Sequence, residues 1–68
     1  MNKILIRPAE IESCWQTMDA CIVRTRAGKT WVLERYLPAN YKVYDFIQAH
    51  IKDDIVEVPL KEGGNYGR

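Results

Sequence analysis

Apolar and polar positions alternate with a period of two along residues 21–36, on either side of one turn signal, Ala27-Gly28. A two-residue type I′ turn would put Ala27 at positive φ, where its Cβ is penalised. A type I turn followed by Gly28 as a left-handed bulge residue avoids that cost and pairs Thr25 with Lys29, Val23 with Trp31 and Cys21 with Leu33. One face of the hairpin, spanning about residues 20–37, then carries Cys21, Val23, Trp31 and Leu33 and belongs to the core. The other carries Ile22, Arg24, Thr30, Val32, Glu34 and Tyr36, a mixed face suited to contact.

Elsewhere the period lengthens. Ile11, Cys14, Trp15 and Met18 stand at i, i+3, i+4 and i+7, which predicts a helix over residues 11–18 begun by Pro8 and favoured by Glu10 and Glu12 in its first turn. A strand is the competing reading, because Ser13, Cys14, Trp15 and Thr17 are tolerable there. Val43, Phe46, Ile47, His50 and Ile51 form a second helical stripe, with Asn40 as its N-cap and Asp53-Asp54 at its end. Lys3–Arg7 reads as a central, well-covered strand stopped by Pro8, and residues 55–60 as a last strand in which Val56 and Val58 share a side.

The resulting order is β-α-β-β-α-β, that of the ferredoxin-like plan, an α+β fold with two helices on one face of a small antiparallel sheet. If residues 11–18 are a strand, the fold becomes a β-meander with one helix. Either way residues 1–60 make one α+β domain, and the polar, glycine-rich residues 61–68 read as a flexible C-terminal tail.

Composition narrows the function classes. The 68 residues are 47% hydrophobic and 28% charged with a net charge of +1, so no global charge points to nucleic acid or to an acidic partner. No apolar run is long enough for a membrane span or a signal peptide, which makes a cytoplasmic site of action the expectation. Cys14 and Cys21 match neither a Cys-x-x-Cys redox pair nor a zinc half-site, and read as two inward-facing thiols, one on a helix and one on a strand. A disulfide between them would need a non-reducing compartment.

Candidate chemistry is sparse. His50 stands on an apolar helix face among Phe46, Ile47 and Ile51 and reads as structural. Asp53-Asp54 lacks the spacing of a calcium loop, and Gly28-Lys29-Thr30 lacks the upstream glycine and the following helix of a phosphate-binding loop. Catalytic, metal and cofactor residues are therefore expected to be none.

The sequence reads as a small non-catalytic regulator or inhibitor, of the kind that phage or mobile elements use as accessory proteins to block a host complex. Its protein-binding face would comprise Ile22, Arg24, Val32, Glu34 and Tyr36, extended by Tyr41 and Tyr44, toward a heteromeric partner or a second copy in a homodimer. The alternative is a small nucleic-acid-binding regulator that uses the basic hairpin residues Arg24, Arg26, Lys29 and Arg35.

Overall fold

The computed structural model describes residues 3–61. These form an α+β fold of five strands and one helix: β1 (Lys3–Ile6), a 3-10 turn (Pro8–Glu10), β2 (Ile11–Gln16), β3 (Cys21–Thr25), β4 (Thr30–Leu33), α1 (Val43–Ala49) and β5 (Val56–Pro59). β1 and β5 pair antiparallel, and β2, β3 and β4 form an antiparallel meander. The ferredoxin-like plan is thus overturned, and the meander with one helix is the arrangement found.

The hairpin follows its turn chemistry. Gly28 adopts φ 92°, its N–H donates to the Thr25 carbonyl, and the Thr25 N–H donates to the Lys29 carbonyl. Val23 faces Trp31 and Cys21 faces Leu33. The chain makes the same kind of turn a second time at residues 37–41. Here the Asn40 N–H donates to Leu37, the Leu37 N–H donates to Tyr41, and Asn40 takes the left-handed position at φ 62°. Asn40 is therefore a turn residue and not the helix N-cap. Lys42 holds the cap position with no side-chain capping bond.

The expected first helix is β2, because of a bulge. The ladder to β3 shifts between Ile11 and Ser13, so Ile11 and Cys14, three apart, both pack on the core, as they would on a helix face. Trp15 then faces Ile22 on the opposite side of the sheet and is 45% exposed, while Met18 is 89% exposed. Of the expected helix only the Pro8 start survives, as one 3-10 turn with Pro8 at its beginning.

β1 also differs from expectation. Its only strand partner among the described residues is β5, and it alternates, with Ile6 buried and Leu5 70% exposed. Its unbroken apolar middle suggests cover on both faces, but among the described residues nothing buries Leu5 on the outer side. The core lies between the two sheets and α1, built from Ile6, Cys21, Val23, Leu33, Val43, Ile47, Val56 and Val58. Val56 and Val58 share the buried side of β5 as the alternation predicts. The helix ends at Ala49, and Asp53-Asp54 lie exposed beyond it. The end of β5 is stitched to β4, with Glu34 N–H donating to Pro59 and Lys61 N–H donating to Val32. Of the expected tail, Lys61 is thereby held, and residues 62–68 lie outside the described residues.

Candidate nucleic-acid interface

A groove of about 490 Å³ opens between the β1–β2 connection and the β3–β4 turn. Arg7 at the end of β1 enters it from one side, and Arg26 and Lys29 from the other. Trp31 and Leu5 supply apolar wall, and Glu10 is the one carboxylate among the lining residues. The Arg26 N–H donates to the Glu10 carbonyl at 3.0 Å, so the 3-10 turn is tied to the hairpin tip and the two walls hold a fixed separation. Arg7, Arg26 and Lys29 are exposed. Among the described residues the one ion pair is Arg24–Glu12 at 3.8 Å, well out in solvent, and the three groove cations take no part in it.

Trp31 is half-buried, packed on the core by one side and lining the groove by another. Lys29 Nζ lies 5.9 Å from the ring centroid, a cation over an aromatic face. The core face that the sequence assigns to Trp31 is not shared by the other tryptophan. Trp15 is instead on the other face of the sheet, because Trp15 is in register with Ile22 and Trp31 with Val23.

The four hairpin cations named from sequence do not form one patch. Arg26 and Lys29 meet in the groove. Arg24 projects from the opposite face of the sheet, beside Glu12. Arg35 lies at the far end, where its Nη1 donates to the Met18 carbonyl at 2.6 Å, its Nε is buried without a partner, and its guanidinium lies 5.3 Å from the Tyr36 ring centroid. Arg7 was missed, since nothing local to a strand end before proline marks it as part of a distant turn.

The protein-binding face is likewise divided. Ile22 is 2% exposed and Val32 4%, and they form a small second cluster with Ala20. Trp15 flanks Ile22 on one side, and the chain at Lys61 runs against Val32 on the other, so the outer face is not the bare surface expected for the hairpin. Glu34 is half-buried and Tyr36 exposed. Tyr44 packs on the core, and Tyr41 is exposed with its ring edge-to-face on Phe46 at 6.1 Å.

His50 closes α1. Its Nδ1–H donates to the Phe46 carbonyl at 2.8 Å, and its ring lies 4.5 Å from that of Phe46. This geometry is that of a helix-end strut. Among the described residues no group of three or more His, Cys, Asp or Glu is placed to hold a metal ion, and no helix is long and apolar enough to cross a membrane.

No family model, curated protein or solved structure matches this chain. The functional reading therefore rests on the groove and its residues.

Proposed function

We propose that this chain is a small, non-catalytic regulator that binds single-stranded nucleic acid along the groove between β1 and the β3–β4 turn. The observation that carries this reading is the convergence of Arg7, Arg26 and Lys29 on one groove walled by the Trp31 ring, against a single carboxylate. Single-strand sites combine a cationic track for the phosphate backbone with an aromatic face on which a base can stack. Duplex readout would instead call for a helix or ribbon projecting into a major groove. The seven-residue α1 has its buried residues, Val43 and Ile47, in the core. A cytoplasmic site of action goes with this reading.

Binding to a protein through the outer hairpin face is the weaker alternative, because two of its anchors, Ile22 and Val32, are already covered.

The test is an anisotropy titration of labelled single-stranded and duplex oligonucleotides over a range of salt. Three phosphate contacts predict a log–log salt slope of about −2 for the single strand. Binding that does not respond to salt, or that prefers the duplex, would contradict the assignment.

A further inference from the structure

Cys14 and Cys21 come together across β2 and β3. Cys14 is in register with Val23, and Cys21 with Gln16, so the two thiols form a diagonal pair on the inner face of the meander with their Sγ atoms 3.8 Å apart. The bulge at the start of β2 belongs to the reason. It leaves Cys14 on the same face as Ile11 and turns it toward the core beside Cys21. The two sulfurs differ in access: Cys21 is fully buried, whereas Cys14 is half-buried. Gln16, opposite Cys21 on the same face, adds a buried Oε1 with no hydrogen-bond partner.

We infer that Cys14 and Cys21 are a reversible oxidation site, which hydrogen peroxide converts to an intramolecular disulfide across the β2–β3 turn. Cys14 is the attacking sulfur. It is the one that solvent can reach, and the hydrogen bond from Cys21 holds its thiol below the ordinary range against the opposing effect of burial. That same hydrogen bond and burial push the Cys21 thiol up, so Cys21 keeps its proton and acts second. In the first step the Cys14 thiolate attacks one peroxide oxygen, the O–O bond breaks, and hydroxide leaves, giving a sulfenic acid at Cys14. Hydroxide takes the Cys21 proton to become water. The Cys21 thiolate then attacks Cys14 Sγ, the S–O bond breaks, and the second hydroxide takes up the proton that Cys14 gave to solvent. Two thiols and one peroxide give one disulfide and two waters.

Closure shortens the Sγ–Sγ separation from 3.8 Å to the about 2 Å of a disulfide. Thiols reopen the bond by exchange at the half-buried Cys14 sulfur.

The experiment treats the folded protein with stoichiometric hydrogen peroxide and follows intact mass, free thiols and migration without reductant. The expected result is loss of two hydrogens and of both thiols in a monomer, with full recovery in dithiothreitol. Cys21→Ala should trap the sulfenic acid at Cys14 for reaction with dimedone, and Cys14→Ala should leave Cys21 unreactive as long as the variant stays folded by circular dichroism. Because either variant can lose its fold, the wild-type result decides. Retention of both thiols, passage to sulfinic acid without a disulfide, or covalent dimers in place of the monomer would each overturn the assignment.

Discussion

The two ends of the three-stranded meander carry similar residues and use them in opposite ways. At the hairpin tip, Arg26 and Lys29 stand exposed beside Arg7, with Trp31 between them and the core. At the far end, Arg35 is half-buried, donates to the Met18 carbonyl and lies against Tyr36. Each end sets a cation against an aromatic, Lys29 on Trp31 and Arg35 on Tyr36, yet only at the far end does the cation also bond to a protein carbonyl. A guanidinium that donates to a protein carbonyl is part of the fold, and moving it to a phosphate would give up that hydrogen bond in exchange for water. Three exposed cations on one groove repel one another and gain from an anionic ligand. Counting basic residues along the hairpin merges these two situations, and the geometry separates them.

The largest expected effect falls on both ends together. Leu33 lies fully buried under the meander, so Leu33→Ala should cost about 2–5 kcal/mol. In a domain this small that is a large fraction of the total stability. Thermal melting should show the loss, and nucleic-acid binding should fall only in proportion to the unfolded fraction.

Trp31→Ala separates the ends. It should lower stability by about 1–3 kcal/mol, since the side chain is half-buried. It should also weaken single-strand binding by a further 1–3 kcal/mol, about the value of one stacked base. Binding measured well below the melting temperature isolates the second effect. Unchanged affinity in folded Trp31→Ala would remove stacking from the account.

Arg35→Gln probes the far end. Losing the solvent-exposed bond to Met18 should cost about 0.5–1.5 kcal/mol of stability. The affinity for single strands and its salt slope should stay at wild-type values. A lowered salt slope in this variant would make Arg35 a phosphate contact and erase the contrast between the ends.

The sequence disclosed the hairpin because two independent signals agreed there. Alternation gave the faces, and Gly28 gave the turn that sets the register. β2 escaped because its bulge imitates a helical spacing. With Ile11 and Cys14 both inward, a three-residue step looks like a helix face, and only the exposure of Trp15 and Met18 breaks the match. The buried state of Ile22 and Val32 escaped for a different reason, since Trp15 beside Ile22 reads as a helix residue and the neighbour of Val32 at Lys61 comes from the other end of the chain. Half of the groove was legible in Arg26 and Lys29. Arg7 and Leu5 were not, because the backbone bond from Arg26 to Glu10 that brings the walls together leaves no mark on either segment. The thiol pair was legible as two inward cysteines, and its closeness depended on reading residue 14 as strand.

The most direct test sets two variants of equal charge loss side by side in one salt-dependent anisotropy titration with a single-stranded oligonucleotide. Arg26→Gln/Lys29→Gln removes two groove cations, and Arg24→Gln/Arg35→Gln removes two cations outside the groove. The account predicts a salt slope smaller by about 1.4 in the first, from 0.7 per phosphate contact on a single strand. The second should keep the wild-type slope and affinity. Equal losses in the two variants would mean that binding follows net charge alone, and would contradict a groove-specific site.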